Sequence, residues 1–451
     1  MKKPSLYFRH LENFNWPLLG CLLVLLAAGL VNLFSTSGGW PRAFNSFGKQ
    51  AAFAAAGFLV LVLSLFFDYK ILKYAAWPVY GVSILLVIAV KFWGVSVNGS
   101  TRWLALGHEA FRFQPSEFMK IALVVALAAH FSGRDSRGEL GVRDLLFPLA
   151  VVGLPFAIIL KQPDMGTALH LLLSSVPVFL IRRVRLWVIA TLLTAGLTCG
   201  SWLFFFGGVD YLLRHEVIKT YHVARYQTFL DPESDPNDKG WQITQSKSAI
   251  GSGQLFGRGY MEGTQQKNGF LPASETDFAF SALAEEWGFA GAAATLAFYF
   301  ALIWFSLKGV GRSGDLFGSL LSVGIAGLLF FQVAINVGMV TGLLPVVGIP
   351  LPFVSYGGTS TLMNIMCVAL VLNVCMRRFK FMETPVKQNP AVWESPAAID
   401  LGAASVAGVR RLAPHDPKEP DHHPAHRLPH VRPWLKHFGP KPWQLPSNVG
   451  G

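Results

Sequence analysis

Hydrophobic residues in this chain come in long, nearly unbroken runs, and polar residues are confined to the gaps between them. Apolar runs of about 20 residues, the length a helix needs to cross the hydrocarbon of a bilayer, fall near 16–35, 50–67, 74–90, 117–131, 145–160, 166–181, 186–206, 278–307, 316–340 and 361–376. A helix satisfies its own backbone groups in lipid, so the pattern predicts an all-α polytopic membrane protein of about ten transmembrane helices. The fifth and sixth runs are short and parted only by Lys161-Gln162-Pro163-Asp164, which predicts a tight helical hairpin. The first run follows Lys2, Lys3 and Arg9 as a signal peptide would. It is too long, no small-residue cleavage site follows, and further runs come after it, so it reads as a first span.

The polar gaps orient these spans. With the N-terminus in the cytoplasm, the inner segments carry Lys2, Lys3, Arg9, Lys70, Lys73, Arg134, Arg137, Arg143, Arg182, Arg183, Arg185, Lys308, Arg312, Arg377, Arg378 and Lys380, sixteen basic residues. The short outer loops carry six: Arg42, Lys49, Lys91, Arg102, Arg112 and Lys161. The positive-inside rule then puts both termini in the cytoplasm and the loops at about 91–116, 207–277 and 341–360 outside. The segment 207–277, between helices 7 and 8, is a large extracytoplasmic loop. Its Tyr226, Phe229, Trp241, Ile243, Ile250, Leu255 and Phe256 predict short helices lying on the membrane surface. Residues 1–380 form one transmembrane domain. Residues 381–451, rich in Pro, His, Ala and basic residues without periodicity, read as a disordered cytoplasmic tail. Its His422, His423, His426 and His430 read as solvated rather than metal-binding.

Composition narrows the class. The chain has 451 residues, 52% hydrophobic and 14% charged, against about 25% charged for soluble domains. Its net charge of +12 is gathered in clusters at helix ends, which argues for membrane topology and against nucleic acid. Cys21, Cys199, Cys367 and Cys375 all lie in apolar runs without ligand spacing and read as buried thiols.

Candidate chemistry gathers in the outer loops. Asp277, in Phe270-Leu271-Pro272-Ala273-Ser274-Glu275-Thr276-Asp277-Phe278, sits where a long polar segment gives way to an apolar one. Position and residue type leave it equally open to capping a helix and to catalysis. If 277–287 is helical, Glu285 stands about 12 Å further along it and Glu286 on the opposite face. That leaves one carboxylate at the mouth, which suits single-base chemistry better than a close carboxylate pair. Arg102 beside Trp103 reads as an interfacial anchor or a phosphate contact. Glu117 and Lys120, three residues apart at the start of the fourth span, read as a structural ion pair or a polar wall for an anionic headgroup. Asp164 either caps the sixth span or lines a polar cavity. The glycine-rich Gly251–Gly259 stretch lacks the P-loop pattern, yet with Lys247 and Arg258 beside it could hold a pyrophosphate. The uncharged stretch from Asn336 to Ser360, broken by Pro345, Gly348, Pro350 and Pro352, reads as a re-entrant loop packed against protein, or as the wall of a lipid groove.

Taken in order, these segments resemble the SEDS family (shape, elongation, division and sporulation) over about residues 12–380. The resemblance rests on Arg102-Trp103, Phe113-Gln114-Pro115-Ser116-Glu117, Lys161-Gln162-Pro163-Asp164, Phe229-Leu230-Asp231-Pro232, Gln245-Ser246-Lys247, Phe270-Leu271-Pro272, Thr276-Asp277-Phe278, Pro350-Leu351-Pro352 and Ser355-Tyr356-Gly357-Gly358. Within the family, Gly263-Thr264-Gln265 and Gly342–Gly348 are closer to RodA than to FtsW. The resemblance implies a peptidoglycan glycosyltransferase of the bacterial inner membrane that polymerises lipid II on its outer face. The implied partners are a class B penicillin-binding protein and other elongation-complex membrane proteins. The family's essential loop aspartate matches Asp277, and its fourth-span Glu and Lys match Glu117 and Lys120. Where the family carries Arg-His or similar before Thr-Asp, this chain has Ser274-Glu275, a carboxylate able to raise the pKa of Asp277 or help bind a divalent cation.

The implied reaction is an inverting transfer. Asp277 takes the proton of the acceptor 4-hydroxyl, which attacks the donor's anomeric carbon. Polyprenyl pyrophosphate leaves toward Arg102, Lys120, Lys247 and Arg258. The activated sugar arrives on its lipid, so no nucleotide is implied, and a divalent cation is the one cofactor left open. The rivals are a flippase for lipid-linked precursor and a scaffold for the penicillin-binding protein. Charge-free span centres speak against transport, and a carboxylate at the mouth of a polar loop speaks against a scaffold.

Overall fold

The computed structural model of the chain describes residues 13–40, 43–97, 100–105, 112–133, 142–162, 164–182 and 239–377, with isolated positions between 191 and 231. The chain divides into Met1–Met382 and Glu383–Gly451, and all described residues belong to the first unit. Most of the expected seventh span, the first half of the large loop, Cys199 and the tail lie outside the described residues.

The apolar runs form helices. They are α1 (Trp16–Thr36), α2 (Ala43–Ser64), α3 (Ile71–Trp93), α4 (Pro115–Ser132), α5 (Val142–Lys161) and α6 (Met165–Ile181). After the large loop come α7 (Lys239–Ser252), the single turn α8 (Thr264–Lys267), α9 (Ala279–Lys308), α10 (Leu316–Val340) and α11 (Gly358–Met376). Seven of them, α1, α2, α3, α5, α9, α10 and α11, are long and apolar enough to cross a membrane. The protein is a multi-pass helical membrane protein. Helix α6, at 17 residues, is shorter, and α4 carries Glu117 and Lys120 in its first two turns.

Helices α4, α10 and α11 are buried along almost their whole length, whereas α2 and α3 turn Leu59, Leu63, Leu85 and Phe92 outward. Small residues let the central helices approach closely. Gly324 of α10 faces Val124 of α4, and a side chain on Gly327 would stand 2.6 Å from the Pro177 ring of α6. Buried polar side chains pin the bundle: His170 Nε2 contacts Leu328 O at 2.8 Å, and Tyr80 donates to Val151 O at 2.8 Å. Cys21, Cys367 and Cys375 are buried, as their setting predicts.

Two features depart from the expected all-α pattern of unbroken helices. The loop after α3 forms a three-stranded antiparallel sheet, β1 (Gly94–Val97), β2 (Ser100–Ala105) and β3 (Arg112–Phe113), in that order. Val95 pairs with Trp103 and Val97 with Ser100, across a bulge at Val95/Ser96. The cause is legible: β-branched and aromatic residues flank Asn98-Gly99, the strongest short hairpin signal.

The second departure lies inside α9. Gly288 has φ 64° and ψ −165°, so the helix is broken into 279–287 and 289–308. A break frees carbonyls on one side and N–H groups on the other. The loop 254–259 takes both sets. Arg258 N donates to Glu285 O (3.0 Å) and Gly259 N to Glu286 O (3.1 Å). In return Phe289 N donates to Gln254 O (2.8 Å) and Ala290 N to Leu255 O (2.9 Å).

Only glycine fits this elbow. A side chain on Gly288 would stand 2.7 Å from Leu255 O and closer still to Gly257 N. Gly288→Ala combines that clash with a backbone conformation worth about 1–3 kcal/mol of strain. It is expected to lower the melting temperature of the purified protein in detergent by several degrees, read by tryptophan fluorescence.

Candidate functional site

Asp277 lies in the turn that precedes α9 and is half-buried. The N-cap residue of α9 is Phe278, and no side chain caps the helix there. The turn is shaped by Ala273 at φ 57°, whose carbonyl accepts from Thr276 N (3.0 Å) and Phe278 N (3.2 Å).

What holds the Asp277 turn is the uncharged loop 341–357. Asn336 of α10 donates its one amide group to Asp277 O at 3.0 Å and to Ile349 O at 2.7 Å. Tyr356 N donates to Glu275 O at 2.7 Å. The carboxylate of Asp277 lies against Gly348, which has φ 75°, with Oδ2 3.4 Å from where a side chain there would begin.

The loop itself runs without regular structure through protein, and side chains of the bundle satisfy its backbone. Gln332 donates to Pro350 O (3.0 Å), Tyr299 to Pro352 O, and Gln50 accepts from Gly357 N (3.1 Å). Val346, Val347, Ile349, Leu351, Phe353 and Val354 are buried. Packing against protein is thus met as expected for a re-entrant loop.

The same loop joins Asp277 to the other charged candidates. Gly166, in the first turn of α6, faces it, and a side chain there would stand 2.6 Å from Val347 O and 3.2 Å from Ile349 Cγ1. Two residues earlier, Asp164 Oδ1 accepts from Thr167 N (3.2 Å), which caps α6, and pairs with Arg102 Nη1 of β2 at 3.3 Å. Asp164 is thus both a cap and a buried ion-pair partner. The sheet that carries Arg102 is tied to α11 by Thr359 Oγ1 donating to Arg112 O at 3.0 Å. Burial and the Glu275 carboxylate raise the Tyr356 phenol above its usual pKa, against the pull of Arg112.

Glu117 and Lys120 pair at 2.8 Å, with side chains only 4% and 3% exposed. They form the ion pair that one reading gave, enclosed by the bundle.

Lys247 and Arg258 are exposed. Lys247 Nζ rests on Gly342, just past the end of α10, where the helix dipole favours a cation. Arg258 stands at the elbow, with Nε bonded to Ser252 O at 3.3 Å. The backbone N–H groups of Arg258 and Gly259 are taken by α9, so they are not available to cradle a phosphate. Among the described residues, no three His, Cys, Asp or Glu side chains gather as a metal-ligand set.

Sequence reading missed Asn336 and Gln332 as positioning residues. Their signal was present: they are the polar pair, four residues apart on one face, within an otherwise apolar run.

This arrangement, a helical membrane bundle with a half-buried carboxylate set between two loops, defines a multi-pass membrane protein with a site at the loop end. The profile of the cell cycle protein family of FtsW, RodA and SpoVE matches residues 15–380, and the chain belongs to that family. Its relatives include the peptidoglycan glycosyltransferase MrdB of Escherichia coli K12, 35% identical over 79% of this chain and 92% of that protein. The probable peptidoglycan glycosyltransferase FtsW of Trichlorobacter lovleyi is 34% identical over 83% and 95%. The peptidoglycan glycosyltransferase RodA of Treponema pallidum is 30% identical over 82% and 99%.

Among solved structures, a chain from work on polymerization and crosslinking by a peptidoglycan synthase complex aligns at TM-score 0.68 and 30% identity, over 81% of this chain and 99% of its own. Thermus thermophilus RodA aligns at 0.59 and 28%, over 81% and 98%. Relatives named FtsW and relatives named RodA or MrdB match about equally well. The closer likeness to RodA expected from sequence is therefore not separated from FtsW.

Asn336→Leu removes the group shared by two buried carbonyls, each costing about 1–3 kcal/mol when left unpaired. It is expected to loosen the loop and speed proteolytic cleavage within 342–357, read by mass spectrometry. Gly348→Ala, which places a methyl against Asp277 in a strained conformation, is expected to cost at least about tenfold in activity while the protein stays monodisperse.

Proposed function

We propose that this chain is a peptidoglycan glycosyltransferase that polymerises lipid II, with Asp277 as its general base. The observation that carries the reading is the setting of Asp277. It is half-buried at the loop end of the bundle, its carbonyl is bonded by Asn336, and its carboxylate lies against Gly348 of the facing loop.

The reaction proposed is an inverting displacement. Asp277 accepts the proton of the acceptor sugar's 4-hydroxyl as that oxygen bonds to the donor's anomeric carbon. The bond from that carbon to the pyrophosphate oxygen breaks, and polyprenyl pyrophosphate leaves with the electron pair. Lys247 is exposed and rests on Gly342 of the 341–357 loop that also faces Asp277. Arg102, oriented by Asp164, stands across that loop. Both are assigned to the developing phosphate charge, with Arg258 further off at the elbow. The enclosed Glu117–Lys120 pair is assigned to holding α4 in register rather than to touching substrate.

The positive-inside distribution supports a bacterial inner-membrane protein with this site on the extracytoplasmic face. Glycan-strand synthesis is common to relatives of both branches, so the reading does not depend on which branch the chain joins. The solved synthase complex supports a crosslinking partner, a class B penicillin-binding protein, with other membrane proteins of the same machinery beside it.

Asp277→Asn keeps size and shape and removes the base. It is expected to reduce polymerisation of labelled lipid II about 10²–10⁴-fold on gels, alone and with the partner, while co-purification with the partner is unchanged. Polymer formed at the wild-type rate would overturn the assignment.

A further inference from the structure

The loop 341–357 meets Lys247, Asp277 and Glu275 in that order along its length. Lys247 rests on Gly342 at its start, with Nζ 2.6 Å from where a side chain on that glycine would begin. The Asp277 carboxylate lies against Gly348 in its middle. Near its end, Tyr356 N donates to Glu275 O at 2.7 Å. The two ends differ in charge. Lys247 is exposed and makes no ion pair among the described residues. At the other end the Glu275 carboxylate and the exposed Arg112 guanidinium both bear on the Tyr356 phenol, so their charges offset one another. A pyrophosphate therefore gains most at the Lys247 end, and at the other end meets a carboxylate that repels it.

The Glu275 end suits a neutral polar group. Glu275 and Tyr356 are half-buried, and neither the carboxylate nor the phenol hydroxyl makes a hydrogen bond among the described residues. The backbone beneath them is fixed. Ser355 N donates to Leu351 O at 3.0 Å, Ser355 Oγ accepts from Leu351 N at 2.9 Å, and Gly357 N donates to Gln50 Oε1 at 3.1 Å. A carboxylate accepts from hydroxyl and amide N–H groups, a phenol donates, and its ring face packs on C–H groups. Those are the contacts that a sugar with hydroxyl and acetamido substituents offers, and here the groups are in place before it arrives. This is also where the chain departs from its family, with Ser274-Glu275 ahead of Thr276-Asp277.

We propose that Glu275 and Tyr356 bind the acceptor sugar, an N-acetylhexosamine, and that the donor's pyrophosphate lies toward Lys247, with Asp277 between the two reactants. Glu275 takes hydroxyl or amide hydrogens of the sugar, and the Tyr356 hydroxyl donates to one of its oxygens. The assignment rests on the glycosyl transfer proposed above and adds its direction: which end of the site takes the attacking sugar and which the leaving group.

The test measures how two probes, each carrying half of the reaction, bind the full-length protein in lipid nanodiscs. Methyl β-chitobioside is neutral and ends in an N-acetylglucosamine with a free 4-hydroxyl; its binding is read by saturation-transfer NMR. Farnesyl pyrophosphate carries the leaving group without a sugar; its binding is read by isothermal titration calorimetry. Glu275→Ala should weaken the chitobioside about tenfold and leave farnesyl pyrophosphate bound as tightly or more tightly. Glu275→Gln, which keeps an acceptor oxygen, should recover part of that loss. Lys247→Gln should weaken the pyrophosphate and spare the chitobioside. If Glu275→Ala does not fold, Tyr356→Phe should weaken the chitobioside alone. The proposal is overturned by unchanged chitobioside binding in the folded variant, by equal weakening of both probes, which a merely structural role would give, or by pyrophosphate binding unchanged in Lys247→Gln. No saturable chitobioside binding up to about 10 mM overturns it as well. Neither probe can turn over, so a failure here is separate from a failure of the Asp277→Asn polymerisation test.

Discussion

Every backbone N–H and C=O that leaves a helix inside an apolar bundle must find a partner in protein, because no water is there to take its place. Two stretches of this chain live under that constraint, the loop 341–357 and the break at Gly288. Each is satisfied by specific groups. Asn336, Gln332, Tyr299 and Gln50 serve the loop, and the 254–259 backbone serves the break. Asn336, Gln332, Tyr299 and Gln50 thus hold irregular backbone in one conformation.

The candidate site is a consequence. Asn336 bonds Asp277 O and Ile349 O together, so the turn that carries the carboxylate and the loop that faces it cannot move apart without leaving buried carbonyls unpaired. Gly166 packs on the other side of that loop, and Asp164 and Arg102 follow from it. One uncharged loop therefore sets the positions of an acid, an ion pair and the sheet that carries it. The Glu117–Lys120 pair has a different character. Its side chains are enclosed at a distance of 2.8 Å, where each charge is tolerable only because the other is present.

Much of this was legible in the sequence. Nine of the ten apolar runs coincide with helices, and the seventh lies outside the described residues apart from isolated positions. Asp277, Arg102, Asp164, Glu117 and Lys120 stood out because charge beside long apolar runs is rare. The hairpin at Gly94–Ala105 was equally readable from its Asn-Gly turn and β-branched flanks, but the surrounding helical pattern hid it. The break at Gly288 was not readable, since glycine is common in membrane helices and a single one carries no local mark. The span expected over 278–307 missed that break, and with it the backbone pairing that satisfies the carbonyls of Glu285 and Glu286.

By itself the sequence determined what local composition can determine: which segments are apolar enough to leave water, where their ends lie, and which charges sit at those ends. These follow from transfer free energies summed over neighbours in the chain. Only the tertiary structure decided which carbonyls Asn336 bonds, that Arg102 meets Asp164, and that Asp277 faces Gly348. Those are contacts between residues 13 to 71 positions apart. Their geometry depends on close-packed helices whose separation is set by single glycines.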